Sequence, residues 1–215
     1  LLGRSYLAGH SIEEVLKTAE EYHKLERLSV IDVLGETARS REEANRYFNA
    51  YKQIIDLAGK RFQGQYIPSI SVKPTAICAV GPDNKLLPET PLNERLEDLV
   101  AYAEKKEVNV TLDMEDHNRT DVSLEAARHV WSNGHKNFGI VLQSRLYRTQ
   151  DDISRTISAS TYKTNRPDMR VRAVIGVYNE FEDIGINDKQ FAKDMLIERV
   201  KELFDAGVYV EIATH

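Results

Sequence analysis

The chain has 215 residues, with 29 Lys and Arg against 34 Asp and Glu, and a formal net charge of −5 at pH 7. At 41% hydrophobic and 29% charged it reads as a soluble globular protein, long enough to bury a real core as one domain over residues 1–215. The mild acidity argues against a nucleic-acid partner, and the lone Cys78 excludes an internal disulfide or a Cys-rich metal site.

No apolar run exceeds five residues (76–80 and 99–103 are the longest), against roughly 20 for a membrane-spanning helix. No signal peptide is expected, and a reducing, cytoplasmic setting fits the cysteine usage. Because the first residue is Leu1 rather than Met, the natural N-terminus is expected upstream.

Ser11 followed by Glu14 forms a capping box, and Ile12, Val15, Leu16 and Ala19 continue it at helical spacing. A short apolar run, Leu28–Leu34, broken by Asp32, reads as the first strand. A second box, Ser40 and Glu43, opens a helix carrying Ala44, Tyr47, Phe48, Tyr51 and Ile55 on one face, with Gly59 as its expected stop. The alternation then recurs. Strands are expected at Tyr66–Val72, Val108–Leu112, Phe138–Leu142, Val171–Ile175 and Val208–Ala213. Helices are expected at Asn93–Lys106, Ser123–Asn133, Asp151–Thr164 and Lys189–Ala206, two of them stopped by Gly134 and Gly207.

Strands separated by helices imply parallel pairing through right-handed crossovers. The turn after the first strand lacks the glycine fingerprint of a dinucleotide fold, which favours an α/β (β/α)8 barrel of the TIM type with an N-terminal helix. A full barrel has eight units and this chain supplies six, ending on a strand. It is therefore expected to be a piece of a longer barrel.

Ligands of such folds bind at the carboxyl ends of the strands. Those ends carry Gly35-Glu36, Lys73, Asp113-Met114-Glu115-Asp116, Gln143, Gly176-Val177-Tyr178 and Thr214-His215. Side-chain alternation puts Ser69, Ser71 and Lys73 on the lumen face, with Asn109, Thr111 and Asp113 beside them, and Arg172 in phase with Val174, Gly176 and Tyr178. Lys73 and Asp113 could simply pair at the rim. Four polar groups meeting at one mouth nevertheless point to a site, since burying them without partners or ligand is costly.

Asp113, Glu115, Asp116 and His117 have the chemistry of a metal cluster. Alternation turns Asp116 away and supplies no second His, so no metal is expected there. His23, His129 and His135 read as surface residues, Cys78 as a small packing residue, and Trp131 as core.

Read together, the strand ends resemble the proline dehydrogenase family, the FAD-dependent (β/α)8 enzymes of proline catabolism. The resemblance lies in SYLAGHSIEEVLKTAEEYHKLERLSVIDVLGE, ISVKPTAI, LDMEDH, IVLQSRLYRT, RVRAVIGVYNE and EIATH, six fragments in the family's order. It implies oxidation of L-proline to 1-pyrroline-5-carboxylate by hydride transfer to flavin N5, with a quinone as electron acceptor and pyrroline-5-carboxylate dehydrogenase as the next enzyme. Any membrane contact would be peripheral, at the inner face.

By the resemblance, Lys73 holds the substrate carboxylate, Asp113 orients the charges of the substrate site and Tyr178 lines the pocket. Met114, Val141 and Gln143 border the flavin ring, with Arg172 near its N5. Gly176 and Val177 let backbone approach it, and Thr214 and His215 contact the ribityl–phosphate part. Ile175 stands where the family has lysine, and Ser144-Arg145 departs from its LQ-A-Y pattern. These departures keep a non-catalytic homologue open; a hydroxyproline-type dehydrogenase stands as a second alternative, and a Schiff-base lyase using Lys73, which requires a depressed lysine pKa, as a third.

Overall fold

The structure, a computed structural model, describes residues 7–35, 37–160 and 169–213. Both capping boxes form, and each starts a helix. The hydroxyl of Ser11 accepts from the Glu14 amide at 3.2 Å and opens α1 (Ile12–Lys24). That of Ser40 accepts from the Glu43 amide at 3.2 Å and opens α2 (Arg41–Arg61). The returning carboxylates reach one residue further back than the motif implies, to the amides of His10 (2.8 Å) and Arg39 (2.7 Å).

Gly59 does not stop α2. The helix runs two residues past it, and a Cβ at Gly59 would stand 3.0 Å from the carbonyl oxygen of Lys106. That glycine serves a close approach between neighbouring segments rather than a helix end.

The remaining elements alternate as expected, apart from an unanticipated short helix after the second strand: β1 (Val30–Asp32), β2 (Ser69–Val72), α3 (Pro74–Ile77), α4 (Leu92–Glu104), β3 (Val110–Leu112), α5 (Thr120–Ser132), β4 (Phe138–Gln143), α6 (Thr149–Ser160), β5 (Arg170–Val174), α7 (Lys189–Asp205) and β6 (Tyr209–Ala213). All five pairings are parallel, and the strands lie in the order β1-β2-β3-β4-β5-β6. A doubly wound sheet reverses its strand order at a switch point. This one never does, so it is an arc of a singly wound barrel.

The two faces of the arc differ in chemistry. Ile31, Ile70, Val72, Val110, Leu112, Phe138, Ile140, Leu142, Val171 and Ala173 face the helices and are buried. They join Leu16, Tyr51, Ile55, Leu96, Leu99, Val130 and Leu203 in a core running through the whole arc. Cys78 lies inside it, and burial pushes its thiol up to about 12, so it is a packing residue and not a thiolate at neutral pH. Trp131 is buried against Phe138, with ring centroids 5.5 Å apart.

The opposite face carries Ser69, Ser71, Thr111, Gln143 and two arginines, where barrel interiors are ordinarily filled by branched aliphatics. A polar lumen is the mark of a site.

Candidate functional site

Register brings the predicted residues together. Ser71 pairs with Asp32 on one side and Thr111 on the other, and Arg172 pairs with Val141 and Glu211. In-register residues of parallel strands share a face, so the polar positions form rings around the lumen. Lys73 and Asp113 follow their strands in phase. The Lys73 side chain sits 2.5 Å from Asp32 and 3.5 Å from Asp113. Asp113 accepts from Arg172 Nη1 at 3.1 Å. Arg172 also donates through Nη1 to Ser71 Oγ at 2.7 Å and through Nε to Glu211 at 3.1 Å, while Arg170 donates to the other Glu211 oxygen at 2.5 Å.

A chain of alternating charge therefore runs Asp32–Lys73–Asp113–Arg172–Glu211–Arg170, from β1 to β6. Each buried charge has a partner of opposite sign, which is the condition for placing charges in a protein interior at all. The expected Lys73–Asp113 pair exists as one link of that chain.

The chain of charge sets the protonation of its members. Burial works against the Lys73 charge, but the Asp32 hydrogen bond and the fields of both carboxylates outweigh it and hold the ammonium above its ordinary value. A Schiff-base nucleophile needs the reverse. The charge held on Lys73 therefore argues against the lyase reading. Asp113 is pushed above the usual carboxylate range by burial, with Lys73 and Arg172 pulling the other way. Burial also raises the Tyr178 phenol, reinforced by the charges of Glu115 and Asp116.

These side chains open into a cleft of about 810 Å³ at the carboxyl ends of the strands. Lys73, Asp113, Gln143, Arg172 and Tyr178 line it together with Met114, Val141, Gly176 and Val177. Thr214, His215 and Glu36 lie outside the described residues. Gln143, buried at the end of β4, donates from Nε2 to the Glu115 carbonyl at 2.8 Å. The Glu115 carboxylate accepts from the Thr75 amide (3.1 Å) and hydroxyl (2.7 Å), just beyond Lys73. Gly176 has φ +106°, and a Cβ there would lie 2.6 Å from Gln143 Oε1.

The suspected metal cluster disperses. Glu115 turns to Thr75, Asp113 to Arg172, and Asp116 caps a single 3₁₀ turn, His117–Arg119, while pairing with the buried Arg119. His117 instead meets the buried Glu180, joining the loops that follow β3 and β5. His135 and His129 are not free surface residues. His135 lies 2.8 Å from Glu104 with its side chain only 14% exposed, and His129 lies 2.6 Å from Glu97.

Several lining residues were not anticipated: Asp32, Arg145, Lys189 and Lys193 in the cleft, with Glu211 and Arg170 beneath it. Asp32 interrupts an apolar strand, and Glu211 alternates in phase with Ala213 on the lumen side of β6. Those phases were the available signal. Arg145 donates through Nη1 to the Tyr178 carbonyl at 2.7 Å and ties the loop after β4 to the loop after β5.

The sequence profile of the proline dehydrogenase family matches residues 15–206. The chain belongs to the proline dehydrogenase family. It is 29% identical over 212 residues to proline dehydrogenase 1 of Bacillus subtilis subsp. natto, covering 99% of this chain and 64% of that protein. It is 28% identical to proline dehydrogenase of Deinococcus radiodurans, covering 100% of this chain and 65% of that one. The chain thus spans somewhat less than two thirds of these relatives.

Among solved structures, proline utilization A from Bdellovibrio bacteriovorus inactivated by N-propargylglycine superposes with a TM-score of 0.83 at 21% identity. The match covers 97% of this chain and 25% of that one, and it bears out the (β/α)8 barrel fold.

Proposed function

We propose that this member of the proline dehydrogenase family binds FAD in the cleft at the strand ends and oxidises L-proline to 1-pyrroline-5-carboxylate. The electrons pass on to a quinone. The product is handed to a pyrroline-5-carboxylate dehydrogenase, and any membrane contact is peripheral. The observation that carries the reading is the convergence of Lys73, Asp113, Gln143 and Arg172 on one mouth, in a chain of that family.

The residues suit the cofactor. Arg172 Nη2 and Arg145 Nε are buried donors without partners among the described residues, and both residues line the cleft. Such donors call for an acceptor-rich ligand edge. Met114, Val141, Val174, Ile175 and Val177 add an apolar wall for a flat ring. Gly176 leaves room where a Cβ would fill the cradle. Lys189 and Lys193, without ion pairs among the described residues, offer charge for phosphate.

When bound, FAD supplies an acceptor for the hydride leaving C5 of proline. The rest of the chemistry belongs to the protein. Lys73, kept as an ammonium, faces the substrate carboxylate, a charge-assisted contact strengthened away from water. Asp113 fixes Lys73 and Arg172 relative to each other. Arg172 presents a cation where negative charge develops on hydride transfer. No nucleophile is needed, because the reaction asks for a neutral substrate amine held against the ring face.

Anaerobic addition of L-proline to the FAD-loaded protein tests this, and the expected result is bleaching of the flavin absorbance. N-propargylglycine, which inactivated the Bdellovibrio relative, is expected to block it. Lys73→Met is expected to raise KM for proline on the order of 10- to 100-fold while leaving flavin uptake intact, as loss of a charged hydrogen bond implies. Failure to take up FAD, or flavin indifferent to proline, would overturn the proposal.

A further inference from the structure

Arg172 is held by three groups from three strands. Nε donates to Glu211 on β6, and Nη1 donates to Ser71 on β2 and to Asp113 after β3. A guanidinium is planar, with five N–H groups in a fixed fork. Anchoring Nε and Nη1 therefore dictates where Nη2 points, and Nη2 is the nitrogen left without a partner among the described residues. Ser71 and Asp113 both act on one nitrogen. Glu211 alone supplies the second anchor that stops the plane from turning.

Glu211 is itself fixed, because its other oxygen is held by Arg170 two residues before Arg172 on the same strand face. Neither Arg170 nor Glu211 is among the cleft-lining residues. They act from below.

We propose that Glu211 is a positioning residue for Arg172, with Arg170 as its own anchor, so that β6 sets both the direction and the effective charge of the guanidinium facing the cleft. The inference rests on the FAD reading for its consequence but not for its geometry. Two properties should separate. The direction of Nη2 depends on the reach of the Glu211 side chain. The local charge depends on its carboxylate, which offsets one of the lumen cations.

Three variants in the full protein test it. Glu211→Gln removes the charge, Glu211→Asp keeps the charge but withdraws it by one methylene, and Arg170→Gln releases the carboxylate from its anchor. In the FAD-loaded protein, E211Q is expected to raise the flavin midpoint potential, because one more uncompensated cation favours the reduced ring. It should also slow flavin reduction by proline on the order of 10- to 100-fold, the scale of a misplaced contact, with KM for proline changed less than kcat. E211D should leave the potential near that of the parent and still slow reduction, and R170Q should move both quantities less than E211Q.

A second readout needs no cofactor. In the unloaded protein the Arg172 Nε–H should exchange slowly with solvent, and at least about tenfold faster in E211D, whose shortened side chain withdraws the buried acceptor from it. Thermal melts identify any variant that fails to fold, with E211D as the milder substitute. If E211D leaves the exchange rate unchanged, if E211Q leaves the midpoint potential unchanged, or if both leave the reduction rate within twofold of the parent, the positioning role is wrong. If the parent itself takes up no FAD, the functional reading falls while the exchange measurement still decides this one.

Discussion

At Gly176 the backbone sits at φ +106°, beyond even the left-handed helical region that other residues visit, and a Cβ would meet Gln143 Oε1 at 2.6 Å and Arg145 Cδ at 3.2 Å. Both neighbours are held: Gln143 by the Glu115 carbonyl and Arg145 by the Tyr178 carbonyl. Neither can yield without dropping a bond in or beside the cleft. Gly176→Ala is expected to cost about 2 kcal/mol from backbone strain, a fall of about 4–8 °C in Tm for a chain of this length. It should weaken FAD uptake as well, which Gly134→Ala, at φ +91° with nothing within 4 Å, should not. Comparing the two variants by thermal melt and flavin titration isolates the steric part, and equal flavin affinity in both would refute it.

At the scale of elements, the same substitution has a different meaning in a strand. Gly139 lies on β4 opposite Arg170, and its added Cβ would come within 2.8 Å of the Arg170 carbonyl oxygen and 2.9 Å of the Arg170 Cβ. These are rigid atoms of β5. Gly139→Ala must push the two strands apart, at about 1–3 kcal/mol, the usual range for overpacking. The loss is readable as a lower urea midpoint, and an unchanged midpoint would mean that β4 and β5 are not so closely apposed.

Which elements exist was legible because periodicity and caps are local. Ser11, Ser40, Gly134 and Gly207 all act where the sequence announces them, and Gly207, at φ +78°, lets Val208 donate back to Leu203 at 3.0 Å. Helix ends without such residues were not legible. Glu26 and Glu107 adopt φ 59° after α1 and α4, where Arg27 and Val108 donate back to the Tyr22 and Ala103 carbonyls, a helix end that glutamate does not announce as glycine would. Of the site, the residues at strand ends could be read by alternation. Asp32 and Glu211 stand out by phase, but their partners could not be assigned, because these lie 39 to 41 residues away on neighbouring strands.

The charge chain is a property of the whole arc, since its six members come from five strands or strand ends and no two consecutive members share a strand. Its pH response follows from the directions in which its members are shifted. Asp113, raised by burial, holds its proton longer in the folded protein than in the unfolded one, so its ionisation makes stability fall as pH climbs past about 3.9. Glu211 has the opposite sign: burial opposes its charge, but Arg170 and Arg172 prevail and lower it, so its contribution is present at neutral pH and lost on acidification. These two oppose each other on the acid side and mask one another.

Within the chain of charge, Lys73 is the member that responds at the alkaline end. Burial disfavours its charge, yet Asp32 and Asp113 hold it above its ordinary value, so its stabilisation is complete below about pH 10.4 and drains away as pH rises through the folded value. Asp32→Asn removes its nearer carboxylate, 2.5 Å away. The variant should therefore be less stable than the parent at pH 9, and the gap should narrow between about pH 10.4 and higher values as the parent loses what the variant never had. Urea midpoints across that interval test it. A gap that stays constant, or widens, would mean that Lys73 is not held by β1 and that the chain of charge begins at Asp113.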